Sequence, residues 1–260
     1  MKDHPIPFYK MTGGGNDFVL FDNRKDTLTR DYSALAKKVC DRLCGWALLG
    51  DEELVARIFD PLVRAVEVPV TVKIRTGSDP ARRNATRIAT LAERAGLAAI
   101  AVHGRTRADR FQGAAEYESI RAVKAAVRIP VSANGDVTTP RQAHAVLAAT
   151  SADAVMIGRA ALGSPWIFRD VNAFLDSKKN FLPLLRASVT AIILQHLESL
   201  YAFYGEYTGV RMARKHLARY CDLHSEFRAS RAELMVAENS ASQFALAERV
   251  FGGWATTADA

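Results

Sequence analysis

Between about Asp51 and Asp170 the chain repeats one theme four times: an amphipathic helical stretch, a short link, then a β-branched run that closes in a polar or glycine-rich turn. The runs are Val68–Arg75 (Val-Pro-Val-Thr-Val-Lys-Ile-Arg), Ala98–Gly104 (Ala-Ala-Ile-Ala-Val-His-Gly), Ile129–Gly135 (Ile-Pro-Val-Ser-Ala-Asn-Gly) and Ala152–Gly158 (Ala-Asp-Ala-Val-Met-Ile-Gly). Their spacing, about 24 to 31 residues, suits a βα unit. The stretches between them carry apolar positions at helical intervals, such as Ile88, Leu91, Ala92 and Ala95, or Ile120, Val123 and Val127. Near-continuous apolar strands alternating with helices predict a parallel sheet covered on its outer side. Pro61 lies inside the first helical stretch and predicts a kink or a split there.

After Pro165 the alternation stops. Leu185, Val189, Ile192, Ile193, His196, Leu197 and Leu200 form one helical stripe, a second helix is expected over Val210–Leu223, and a third ends near Phe251. The polar stretch Asp176–Asn180 joins this all-α part to the sheet. The first 33 residues fit neither pattern: Pro7–Lys10 and Phe18–Asp22 read as two short strands around a glycine-rich loop, a β-hairpin. With 49% hydrophobic and 24% charged residues in 260, the chain can bury a sizeable core, which excludes disorder and collagen-like order. The apolar stretch around Val189–Leu200 is broken by Gln195, His196 and Glu198, so no membrane span is expected. Three cysteines, Cys40, Cys44 and Cys221, make neither a disulfide framework nor a zinc site, and a reducing cytoplasm is the simplest home. No metal site is expected. The net charge of +7 is compatible with a polyanionic partner.

The informative residues stand where the four strands finish: Lys73 and Arg75; His103, Gly104 and Arg105; Asn134, Gly135 and Asp136; Gly158 and Arg159. In a βα barrel these C-terminal ends carry the active site, and the last two loops cradle phosphate with backbone N–H groups. Any one glycine could merely end a strand and any one cation merely solvate a rim; four consecutive ends of this kind favour a site. In the helical part, Tyr201–Arg231 holds six basic residues against three acidic ones. Arg211, Arg214, Lys215 and Arg219 recur at i, i+3, i+4 and i+8, a stripe suited to phosphates.

The blocks Val70–Gly77 (Val-Thr-Val-Lys-Ile-Arg-Thr-Gly), Val102–Arg107 (Val-His-Gly-Arg-Thr-Arg), Ala133–Asp136 (Ala-Asn-Gly-Asp), Met156–Ala160 with Gly163–Phe168, and Arg211–His216 (Arg-Met-Ala-Arg-Lys-His) resemble the tRNA-dihydrouridine synthase family, B subgroup, from about Ala36 to Val250. The resemblance implies the C-terminal half, four βα units, of an FMN-binding TIM barrel over 36–175, followed by a helical tRNA-binding domain over 181–255. It implies a reaction in which NADPH reduces FMN, the flavin passes hydride to a uridine of tRNA, and a cysteine protonates the neighbouring carbon. Lys73 and His103 would contact the flavin, and Asn134, Gly135, Asp136, Gly158 and Arg159 would hold its phosphate. Arg75, Arg105 and Arg107 would line the uridine and tRNA approach, with Arg211, Arg214 and Lys215 on the helical domain. The family's acid cysteine corresponds to Ala34 here, so no catalytic residue is assigned, and an inactive FMN- or RNA-binding chimeric fragment is the alternative.

Residues Phe8–Asn23 resemble instead the start of diaminopimelate epimerase, with Asn16 at that family's substrate-touching position, so 1–35 reads as an epimerase-like leader. The two glycine-rich cysteine loops such an enzyme needs are absent from the sequence, which makes an epimerase fragment a distant third reading. The four-stranded sheet would expose inner residues such as Val72, Ile100, Val131 and Val155, and its open edge gives a route to self-association.

Overall fold

A computed structural model describes residues 8–13, 16–21, 50–65, 68–177 and 184–256. Ala34, Cys40, Cys44 and most of the leader therefore lie outside the described residues. The chain divides into two compact units, Met1–Arg159 and Ala160–Ala260.

The first unit opens with an antiparallel hairpin of β1 (Phe8–Gly13) and β2 (Asn16–Phe21), whose register closes on Gly13 opposite Asn16. Four parallel strands follow in sequential order, β3 (Thr71–Arg75), β4 (Ala99–His103), β5 (Val131–Asn134) and β6 (Ala154–Met156). They alternate with helices α1 (Glu52–Ala65), α2 (Ala85–Arg94), α3 (Glu118–Ala126) and α4 (Pro140–Thr150). Parallel βαβ units cross over with one hand, so strands in sequential order carry their helices on one face, and each helix touches the next, α1 to α2, α2 to α3 and α3 to α4. This is the arrangement of four βα units of a barrel.

Side-chain alternation divides each strand between the two faces. Val72, Ile100 and Val131 share one register row, and Ile74, Val102, Ala133 and Val155 the next. Ile100, Val102, Val131 and Ala133 are buried beneath the helices. The expectation that Val72, Ile100, Val131 and Val155 line the inner face is thus reversed. The inner face carries Lys73, Ala101, Ser132 and Ala154 in one row and Arg75, His103, Asn134 and Met156 in the row above. In a strand only 4 or 5 residues long, a one-position error in phase exchanges the faces completely.

Helix α1 runs unbroken through Pro61. The proline removes one intrahelical bond, and burial of Val55 and Phe59 on the core side offsets that loss. Helix α4 starts sharply after the β5 loop because Thr139 and Gln142 form a reciprocal capping box with Pro140 in the first turn.

The second unit contains α5 (Ile167–Ser177), α6 (Arg186–Leu223), α7 (Arg231–Val236) and α8 (Ser240–Thr256). Gly205, at φ 73° and ψ 175°, divides α6 into two arms. Such angles are open to glycine and costly for any other residue. The arms fold back antiparallel: a Cβ on Gly209 would sit 3.0 Å from the Leu200 carbonyl oxygen. His196 Nδ1 lies 3.0 Å from the Tyr220 hydroxyl and its ring meets that of His216 edge-on. Ile193, Leu197, Leu217, Tyr220, Phe227, Leu234 and Phe251 form this unit's core. Among the described residues no helix is long and apolar enough to cross a membrane.

Candidate functional site at the strand ends

The uppermost inner row aligns Arg75, His103, Asn134 and Met156 side by side on four adjacent strands. Asn134 donates from Nδ2 to the Met156 carbonyl at 2.7 Å, tying β5 to β6 at the rim. Next comes Gly135 at φ 138°, where a Cβ would stand 2.6 Å from that of Ala115, then Asp136 at φ 50°. The glycine is demanded by both its backbone angle and the loop pressed against it. Tyr117 fixes the same turn by donating its hydroxyl to the Gly135 carbonyl at 2.8 Å.

Arg105 is the anchor of the loop after β4. It is only 3% exposed. Its guanidinium meets the Asp136 carboxylate two-pronged, at 2.9 and 2.7 Å, and also donates to the carbonyls of Gln112 at 3.1 Å and Gly113 at 2.6 Å. The Ala115 amide adds a third bond to Asp136, at 2.7 Å. With the remaining N–H near His103 Nε2 at 3.5 Å, all five guanidinium donors are engaged. Arg105 therefore faces the loop and not an incoming RNA. The Asp136 carboxylate likewise faces Arg105 and cannot itself grip a phosphate; it shapes the loop whose backbone borders the site. Burial pushes the Asp136 carboxyl up, but the hydrogen bonds from Arg105 and the Ala115 amide outweigh it and hold it below the ordinary carboxylate range.

His103 is buried beneath this rim, and burial, reinforced by the positive charges of Lys73, Arg75 and Arg105, pulls its imidazole down to about 4 against the opposing pull of Asp136. It is neutral at physiological pH, able to donate from one ring nitrogen and accept at the other. Lys73 stands half-buried on the inner face one row below, opposite Ala101.

Arg75 donates to the carbonyls of Thr106 and Arg110, both at 2.8 Å, and so bridges β3 to the loop after β4. Arg107 is exposed. Arg159 is 58% exposed and reaches Asp136 only at 3.8 Å. Gly158 has open space where a Cβ would lie. The residues present fit an anionic ligand: an exposed guanidinium, an open backbone segment, and a loop frame held by buried bonds. In the helical unit, Arg211 and Lys215 are exposed, but Arg214 is half-buried and donates to the Ala237 carbonyl at 2.8 Å, so it is not part of the outward stripe.

Two residues at the site escape sequence reasoning. Phe111 has the guanidiniums of Arg75 and Arg159 over its ring at 5.4 and 4.9 Å, with the His103 ring 6.5 Å away. Tyr117 braces Gly135. Their only signal is an aromatic residue in the segment following a polar strand end.

A parallel βα sheet with its polar side chains gathered at the C-terminal strand ends places the chain in the barrel class of α/β proteins. The family model described as dihydrouridine synthase matches residues 36–251, and the chain belongs to that family. Similar proteins include the tRNA-dihydrouridine synthase B of Pseudomonas aeruginosa, 50% identical over 83% of this chain and 65% of the relative. That of Xanthomonas axonopodis pv. citri is 52% identical over the same shares, and that of Shewanella oneidensis 47% identical over 83% of this chain and 67% of the relative. The chain thus spans about 65% of the length of the first two.

Proposed function

We propose that the chain carries the flavin- and RNA-facing part of an enzyme that reduces uridine in tRNA, with FMN as cofactor and NADPH as reductant. The observation that carries this reading is the continuous row of Arg75, His103, Asn134 and Met156 at the strand ends, bordered by Gly135, Gly158 and Arg159. In this reading the backbone of Asn134–Asp136 and Gly158–Arg159 and the guanidinium of Arg159 hold the FMN phosphate. Lys73 offers charge to the flavin ring, and neutral His103 offers it a hydrogen bond. Bound FMN would supply hydride to the uracil ring. Arg107, exposed in the loop after β4, lines the tRNA approach, and Arg211 and Lys215 face tRNA phosphates from the helical unit; Arg75 and Arg105 fix the frame of the site, and Arg214 ties α6 to the Ala237 carbonyl.

Ala34 stands where the family resemblance places a proton-donating cysteine, and alanine has no proton to give. That residue favours a second reading, binding without turnover. General acid catalysis is worth about 10²–10⁴ in rate. The test is a visible spectrum of the purified protein, with release of the chromophore on denaturation, followed by dihydrouridine content of tRNA incubated with FMN and NADPH. Bound flavin, weakened in Arg159→Ala, together with activity that rises in Ala34→Cys, supports the proposal. A protein that neither takes up FMN nor alters tRNA overturns it, and flavin uptake without turnover in either form selects the second reading.

A further inference from the structure

The tip of the α6 hairpin carries an aromatic cluster that the family's flavin chemistry does not use. Phe203 is 81% exposed and Tyr207 69%, with Tyr204 exposed between them, its ring meeting Phe203 edge-on at 4.8 Å. Burial of rings normally drives folding; here Phe203 and Tyr204 form an exposed ring pair just before Gly205, and Tyr207 stands exposed two residues after it, an aromatic surface a chain keeps for a partner. The Arg211 guanidinium lies 3.4 Å from the Tyr207 ring centroid, held there by donation to the Tyr207 carbonyl at 3.2 Å. From Tyr207 the exposed ridge continues at four-residue intervals through Arg211, Lys215 and Arg219. The acidic residue at the tip, Glu206, is turned onto the amide and hydroxyl of Ser240 at the start of α8, where the helix dipole offsets its charge.

We propose that this tip is a stacking platform for an unpaired nucleobase of an RNA strand, whose phosphates then run along Lys215 and Arg219. Charge complementarity selects this partner over an apolar protein surface: Tyr207 begins the exposed row of Arg211, Lys215 and Arg219, and its ring already carries a stacked guanidinium. Aromatic rings and arginine planes stack on any base, whereas lysines track the backbone. The inference rests on the reading of the chain as tRNA-facing, but not on its flavin chemistry.

The test measures binding of an unmodified tRNA transcript, and of a fully paired RNA duplex, to the full chain across a salt series. Phe203→Ala, remote from the hairpin core, and Tyr207→Ala are each expected to weaken tRNA binding by roughly fivefold to a hundredfold while leaving the salt slope unchanged. Tyr207→Phe keeps the affinity, because the ring and not the hydroxyl stacks. Lys215→Ala lowers the slope of log affinity against log salt by about one. The duplex should bind more weakly and be indifferent to Phe203→Ala. Full affinity in both alanine variants overturns the platform even if Lys215→Ala weakens binding, in which case the RNA reading itself survives. Loss of a protein dimer in Phe203→Ala, with RNA binding unaltered, also overturns it. No RNA binding by the unmodified chain removes both.

Discussion

Asp136→Asn isolates the charge that holds the site's frame. The residue sits at φ 50°, a conformation asparagine adopts as readily as aspartate, so the backbone has no reason to move. The change removes the negative partner of an arginine that is almost wholly enclosed, and the amide that replaces one carboxylate oxygen must point its N–H toward another donor. Breaking a fully buried pair costs about 3–5 kcal/mol. The Asp136 side chain is itself 33% exposed, so water screens part of the loss, and about 2–3 kcal/mol is expected. Urea unfolding followed by circular dichroism measures this. Hydrogen exchange over the peptide covering residues 104–116 should accelerate, because the Ala115 amide and the Arg105 bonds to Gln112 and Gly113 are the loop's ties. Adding Arg105→Met should recover part of the loss, since no buried charge is then left alone. A loss below about 0.5 kcal/mol, the scatter of ordinary surface changes, with unaltered exchange would refute the view that this pair holds the loop.

Three further outcomes are expected. His103 has a folded value of about 4 against 6.5 when unfolded, so its contribution is complete above pH 6.5 and is lost as pH falls toward 4, where the unfolded chain binds the proton first. About 3 kcal/mol should disappear over that window, and His103→Gln should flatten the slope of unfolding free energy against pH; an NMR titration of the His103 ring near 6.5 would contradict this. Gly205→Ala should destabilise the helical unit by about 1–3 kcal/mol in thermal unfolding, and an unchanged midpoint would mean that the arms do not turn there. Self-association through the edges β3 and β6 should appear as a dimer by sedimentation at tens of micromolar, against which a clean monomer would count.

The strand ends were legible in the sequence because a β-branched run stopping at a polar residue marks both a boundary and a site. The faces were not. In Ala99–His103 the branched residues Ile100 and Val102 point to the helices while Ala99, Ala101 and His103 point inward, an alternation of size rather than polarity that a search for apolar residues overlooks. Arg105 looked like a ligand-facing cation because its partner Asp136 lies 31 positions away in the sequence, on the next loop. Long-range pairing of this kind leaves no local trace. Phe111 and Tyr117 leave no local trace for the same reason: each matters through residues that follow other strands or lie on them. Conversely the capping box at Thr139 and Gln142 is wholly local, and Pro61 shows a local rule losing to the burial of Val55 and Phe59.

The lattice of bonds joining Arg105, Ala115 and Tyr117 to Asp136 and Gly135 has a consequence for anyone recombining this chain with its relatives. The loop after β4 and the loop after β5 are one module split across two places in the sequence. A graft that imports either loop alone, with a bulkier residue for Ala115 or an uncharged one for Asp136, inherits half of a lock. Exchange should succeed only when residues 104–117 and 134–136 travel together, so the unit of substitution here is the pair of loops and not the βα repeat.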